Sequence, residues 1–233
     1  MASRLYSYTI RKVLRITGFV LLSFAVAGAA GLLFVRAFSI RQVEVDGDGM
    51  TIELDRSKLG ENLWLIPTDR LTRELVADYP LLSTVRFEKR FPGTLIIHLV
   101  KRKPIANIVS GGVSYAVDAD GYILGNATSL TAYPVLQFDI GLYAIGSKAA
   151  DDRVHACLAF LKELNGALAI QRMTNGSGTS IRAIMGNTDI LLPQHGDIRR
   201  KADTLQTIVE GFRIKGTLPA VIDLRFEKPI VTN

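Results

Sequence analysis

The sequence predicts an α+β protein held to a membrane by one N-terminal transmembrane helix, with two folded parts beyond it. Three observations carry this. Residues 16–35 are twenty successive positions without a charge; the next sixty or so residues run strand, helix, helix, strand, strand; and the remainder is rich in short strands but contains two amphipathic helices.

Residues 16–35 read ITGFVLLSFAVAGAAGLLFV, which as a helix spans about 30 Å, the thickness of a bilayer's hydrocarbon core. A helix satisfies its own backbone in lipid, so a single span over 16–36 is expected. Arg4, Arg11, Lys12 and Arg15 precede it with no acidic residue, whereas Arg36 and Arg41 behind it are soon offset by Glu44, Asp46 and Asp48. The positive-inside bias makes residues 1–15 a cytoplasmic tail and puts the chain after Phe38 outside. Ala25-Val26-Ala27 imitates a signal-peptidase site, but the apolar run is longer than the 7 to 15 residues usual in a signal peptide. Ser23, Ala27 and Gly31 recur every four positions, so that face could pack closely on another span.

Residues 39–45 (SIRQVEV) alternate apolar and polar, predicting a half-buried strand that ends in the turn Asp46-Gly47-Asp48-Gly49. A short strand at 52–54 and a short helix at 57–65, closing on Trp64, follow. Thr68 can cap a second helix, in which Leu71, Leu75 and Tyr79 recur every four residues before Pro80 stops it. Strands at 84–89 and 94–100 flank the turn Phe91-Pro92-Gly93, and Lys101-Arg102-Lys103-Pro104 marks a linker.

Short strands are then expected at 106–109, 114–117 and 122–124. Asp118-Ala119-Asp120-Gly121 begins like a calcium loop but lacks the later acidic ligands, so it reads as a hairpin turn. A helix at 149–164, strands at 180–185 and 189–192 and the turn Asn175-Gly176-Ser177-Gly178 come next. Asp197 can cap a last helix, with Ile198, Ala202, Leu205, Val209 and Phe212 on one stripe and the Arg199-Arg200-Lys201 trio as a solvated face. Residues 221–226 (VIDLRF) alternate as a strand with Ile222, Leu224 and Phe226 on its apolar face. A terminal strand is expected at a sheet edge, where its free N–H and C=O groups either take another chain's strand or are left where the strand merely closes the sheet.

Composition narrows the function. Residues 1–36 hold five of the 28 basic residues and none of the 22 acidic ones, leaving 23 against 22 outside, so no nucleic-acid surface is expected. Cys157 is the one cysteine and has helical spacing with Val154, Leu158 and Leu161, as a buried structural thiol does. His98, His155 and His195 have no metal-ligand spacing, and no nucleophile elbow, phosphate loop or CxxC is present. The expectation is no enzyme, no cofactor, no metal and no small-molecule substrate.

The order of parts resembles the bacterial cell-division family FtsQ, called DivIB in Gram-positives. The resemblance lies in SIRQVEVDG at 39–47, Gly60-Glu61-Asn62-Leu63-Trp64, Tyr79-Pro80 before Val85, and Arg90-Phe91-Pro92-Gly93-Thr94-Leu95. It continues in Lys101-Arg102-Lys103-Pro104-Ile105-Ala106, Val117-Asp118-Ala119-Asp120-Gly121, and the VDLR-like ending at 221–226.

The resemblance implies a POTRA domain (β-α-α-β-β) at 38–103 and a second, mostly antiparallel β domain with two helices at 104–233. It implies a non-enzymatic, single-pass type II protein of the bacterial inner membrane at the septum, linking early and late division proteins. Its partners would be FtsB/DivIC-like and FtsL-like proteins and other divisome membrane proteins, captured by strand addition at the C-terminal edge. Carried over by position, that surface is Leu224, Arg225, Phe226, Glu227, Lys228, Pro229, Ile230 and Val231; Phe226 stands where the family often has tyrosine. The competing reading, a POTRA-containing component of an outer-membrane assembly or secretion system, needs a barrel. Residues 106–233 have too few ten-residue alternating strands for one.

Overall fold

The computed structural model describes every residue except Met1, Asp48, Thr51, Leu54, Thr128 and Asn233, and gives the backbone alone for residues 2–16, 18, 56 and 215. The expected strand at 52–54, the turn through Asp48 and the side chains of Arg4, Arg11, Lys12 and Arg15 therefore lie wholly or partly outside the described residues. The fold is α+β, in two compact units: residues 1–75 with 84–100, and residues 76–83 with 101–233.

In the first unit, helix α1 (Ala2–Ala37) is continuous through the tail and the apolar run, and Phe19–Ala37 is long and apolar enough to cross a membrane. Strand β1 (Gln42–Asp46) starts three residues later than expected because the preceding backbone is bonded elsewhere. Ser39 bridges Asn62, the Ile40 N–H donates to the Glu61 carbonyl, and the Arg41 N–H donates to the Gly93 carbonyl. Strands β2 (Leu82–Arg90) and β3 (Thr94–Lys101) complete a three-stranded sheet in the order β1-β3-β2, with β1 parallel to β3. As an edge strand β1 is mostly exposed, and Val45, expected half-buried, is open to solvent. The central β3 buries Leu95, Ile96, Ile97 and Leu99, so both its faces are covered.

The helix expected at 57–65 is instead two short 3-10 turns, Arg56–Leu59 and Leu63–Leu65. Gly60, with φ of 75°, breaks the helical path, and the Asn62 side chain accepts from the Trp64 N–H to start the second turn. Helix α2 (Thr68–Asp78) buries Leu71 and Leu75. Thr68 is its first helical residue rather than its cap, because the Pro67 carbonyl takes the first helical bond, from the Leu71 N–H.

The second unit is a nine-stranded sheet covered by two helices. Its elements are β4 (Pro104–Ser110), β5 (Val113–Asp118), β6 (Ile123–Asn126), β7 (Val135–Gln137), α3 (Asp152–Leu164), β8 (Arg172–Asn175), β9 (Ser180–Met185), β10 (Thr188–Pro193), α4 (Ile198–Lys215), β11 (Val221–Asp223) and β12 (Ile230–Thr232). The order is β12-β11-β10-β9-β8-β7-β4-β5-β6, with five antiparallel pairings and three parallel ones.

Both helices are crossovers between parallel neighbours: α3 joins β7 to β8 and α4 joins β10 to β11. The two crossovers step the same way along the sheet from strands of the same sense. The usual right-handed connection therefore lays both helices on one face. There Val154, Cys157, Phe160 and Leu164 of α3 and Ala202, Leu205 and Val209 of α4 join Ile108, Leu136, Met173, Ile181, Ile190 and Ile222 in one core. Asp151 and Asp197 cap the two helices, and Asn165 and Gly216 end them in left-handed conformations.

Candidate partner-binding surface at the C-terminal edge

The expected strand at 221–226 stops at Asp223. Leu224 passes into the core, residues 225–228 bend, and the chain returns as β12 to pair antiparallel with β11, Ile222 opposite Val231. The edge of the sheet is therefore β12, and residues 221–223 lie one strand inside it.

Asp223 makes the bend. Its Oδ1 accepts from the Arg225 N–H at 3.0 Å and from Arg225 Nε at 2.9 Å, while its Oδ2 accepts from Nη2 at 2.6 Å. Arg225 holds the largely buried Asp223 carboxyl below its usual range. From α4, Lys201 Nζ donates to the Phe226 carbonyl at 2.6 Å. Lys201 is thus a tether rather than part of a purely solvated trio, and Arg199 pairs with Glu163 of α3 at 3.2 Å.

The expected binding residues divide accordingly. Leu224 is fully buried, so it supports the surface from beneath, and Arg225 is engaged by Asp223. Phe226, Glu227, Lys228, Ile230 and Val231 are exposed, with Pro229 partly so. Sequence reasoning missed Asp223, whose i to i+2 spacing with Arg225 was the available signal, and Lys201, for which the sequence offers none.

The two edges of the sheet differ. At β6, the Ile123 N–H donates to the Ser147 carbonyl and the Gly146 N–H to the Ile123 carbonyl, so a loop covers that edge. Among the described residues no backbone hydrogen bond reaches the outer side of β12. An uncovered edge strand presents free donors and acceptors to another strand.

The chain matches the family model described as "Cell division protein FtsQ/DivIB, C-terminal" over residues 106–225, from β4 into the Asp223 bend. The chain belongs to the FtsQ/DivIB cell-division family. This is a non-catalytic division family, and its member here carries one apolar N-terminal helix, making it a membrane-anchored division protein.

Among its relatives, the FtsQ of Myxococcus fulvus is 25% identical over 159 residues, covering 61% of this chain and 55% of that protein. The FtsQ of Geotalea daltonii is 26% identical over 171 residues, covering 69% of this chain and 61% of that protein. The chain thus spans some three-fifths or less of the relatives it matches. A solved structure of the major extracytoplasmic domain of DivIB from Geobacillus stearothermophilus is 19% identical, with a TM-score of 0.33, covering 46% of this chain and 87% of that one.

The remaining sequence candidates are separate features. Ser23, Ala27 and Gly31 lie along exposed α1, where Ser23 Oγ donates back to the Phe19 carbonyl at 2.9 Å and the space beside Gly31 is open. Asp118 to Gly121 is a hairpin turn, in which Asp118 Oδ1 accepts from the Asp120 and Tyr122 N–H groups. Cys157 is buried, which pushes its thiol far above the ordinary range and keeps it protonated.

Proposed function

We propose that this chain is a divisome scaffold that captures an FtsB/DivIC-like protein, and through it an FtsL-like one, by adding a partner strand to β12. The observation that carries this reading is the uncovered β12 edge, held in position by the Asp223-Arg225 bend. Ile230 and Val231 supply the strand, while Phe226, beside it and about half exposed, supplies an aromatic anchor of the kind that dominates protein interfaces.

The same reading makes the chain a single-pass type II protein of the inner membrane at the septum, with residues 1–15 cytoplasmic and both folded units extracytoplasmic. It has no catalytic step, no cofactor and no small-molecule substrate. The first unit, whose β, α, β, β order is POTRA-like, serves recruitment to the division site. The span confines the module to the plane of its membrane-bound partners and so raises its effective concentration for them without any new contact.

The test is capture of an FtsB-like partner by the full chain in detergent. Phe226→Glu abolishes capture while the thermal transition stays at the wild-type temperature. Unchanged capture sinks the C-terminal-edge reading.

A further inference from the structure

Helix α1 does not end in open solvent. Phe34, in its last apolar turn, packs at a tilt against Phe38 with ring centroids 4.8 Å apart; Phe38 meets Phe91 edge-on at 5.4 Å and lies 6.5 Å from Trp64, and Trp64 and Phe91 lie 5.8 Å apart. Four aromatic rings from three separate stretches of chain therefore form one continuous cluster starting at the outer end of the apolar helix.

Backbone bonds fix this arrangement. The Phe38 carbonyl accepts from the Leu63 N–H at 2.8 Å, pinning the turn that carries Trp64. The Gly93 carbonyl accepts from the Arg41 N–H at 2.8 Å, pinning the turn that carries Phe91. A Cβ on Gly93 would come within 2.8 Å of the Ser39 carbonyl oxygen, so only glycine allows this approach.

Leu63 is wholly buried, yet its neighbours Trp64 and Leu65 are 60% and 72% exposed, and Phe91 is 49% exposed. Three large apolar side chains thus point outward at the one level of the unit held against the end of a span. Isolated apolar residues on a surface need no explanation, but a contiguous aromatic patch does. Trp at the end of a membrane helix is the residue that favours the headgroup region, with an apolar ring and a polar N–H. Arg36 and Arg41, exposed on the exit segment itself, have the charge to meet anionic headgroups.

We propose that Trp64, Leu65 and Phe91 form a lipid-docking patch that seats the first unit in the headgroup region of the leaflet into which α1 emerges. The occupant is the bilayer surface itself. The docking fixes the tilt of the first unit against the membrane, so the unit does not swing freely from its anchor. The inference rests on α1 being a membrane span, but not on which side of the membrane it emerges.

Trp64 is the chain's one tryptophan, so it reports its own surroundings. The full chain is reconstituted into vesicles of phosphatidylethanolamine and phosphatidylglycerol, alone or with lipids brominated near the carbonyl or at mid-chain. Docking gives blue-shifted Trp64 emission, strong quenching by the shallow bromines, little by the mid-chain ones and weak quenching by aqueous iodide. Free quenching by iodide with none by either brominated lipid overturns the proposal. So does protection from iodide without quenching by bromine, which means that protein covers the patch.

A Phe24→Trp, Trp64→Phe double variant separates the underlying reading. Quenching of its tryptophan by mid-chain bromines establishes the span, so a negative result at Trp64 then counts against docking alone. Absence of that quenching overturns the span and the docking together.

Discussion

Arg102 Nη1 lies 2.6 Å from Asp118 Oδ2, with only 6% and 7% of the two side chains exposed. Each ion is further satisfied: Arg102 Nε donates to the Pro80 carbonyl at 2.9 Å and its guanidinium lies 3.7 Å from the Tyr122 ring centroid, while Asp118 takes two N–H donors from its own turn. The Lys-Arg-Lys-Pro stretch that reads as a linker in the sequence therefore contains the best-buried ion pair of the second unit. Removing Arg102 leaves the Asp118 carboxylate buried without a cation, whereas removing Asp118 leaves Arg102 only its 3.1 Å pairing with the more exposed Asp120. Arg102→Met is expected to destabilise the unit by about 3–5 kcal/mol, and Arg102→Met with Asp118→Leu to recover much of that loss. Denaturant midpoints for the two single variants and the double variant measure the coupling.

His98 ties together all three strands of the first unit. From β3 its Nδ1 is 3.0 Å from Asp46 of β1 and its Nε2 is 3.1 Å from Glu88 of β2. Glu88 first, then Asp46, raises the imidazole above its ordinary 6.5, while Arg90 first, then His98, lowers the Glu88 carboxyl below its ordinary 4.5. A raised histidine stabilises fully below its unfolded value and loses that contribution as pH climbs through the folded one. A depressed carboxylate loses its contribution as pH falls through its folded value. The clamp is therefore strongest between about pH 5 and 6.5. The melting-temperature advantage of wild type over His98→Gln should be largest there and shrink by about pH 9. A constant difference across that range shows that His98 is not charged in the clamp.

Elements with long regular patterns were legible, and those that depend on distant partners were not. The strand at 180–185 and the helix stripe through Ala202, Leu205 and Val209 follow from period alone, because each has one face on the core. Strands β7 and β8, of three and four residues, were not expected: so short a run carries almost no alternation, and their pairing is set by α3 crossing between them. At the candidate site, alternation grouped Ile222, Leu224 and Phe226 on one face, which holds through Leu224. The Asp223-Arg225 contact then bends the backbone, and that contact has no hydropathic signature. The edge itself, β12, was not expected as a separate strand: it has three residues, directly after Pro229, too few to carry an alternation of its own.

Leu224 and Phe226 are two residues apart and should respond oppositely to substitution. Leu224 is fully enclosed, and Leu224→Ala should cost about 2–5 kcal/mol of stability through lost contacts and a residual cavity. Phe226 is about half exposed, and Phe226→Ala should change the melting transition little while weakening partner capture. Thermal melts and co-purification on the same two variants check both halves. A stable Leu224→Ala protein contradicts the enclosed position of that side chain.

Asp223 allows stability and the proposed partner capture to be tested on one residue. Its carboxylate accepts both the backbone and the guanidinium of Arg225, so it sets where β11 ends and where β12 can return. Asp223→Asn keeps an acceptor for the Arg225 N–H but removes the charge, and should cost about 1.5–3 kcal/mol. Arg225 depresses the Asp223 carboxyl below its ordinary 3.8, so the wild-type contribution is complete above that value and disappears as pH falls through the lower folded one. The wild-type advantage over Asp223→Asn should therefore hold at neutral pH and fade under strong acid. If β12 is the strand a partner joins, Asp223→Asn also weakens capture at neutral pH, where the protein remains folded, because the return of the hairpin loses its fixed register. Denaturation measured against pH, together with partner pull-down at neutral pH, separates these effects: lost stability with full capture makes the bend purely structural.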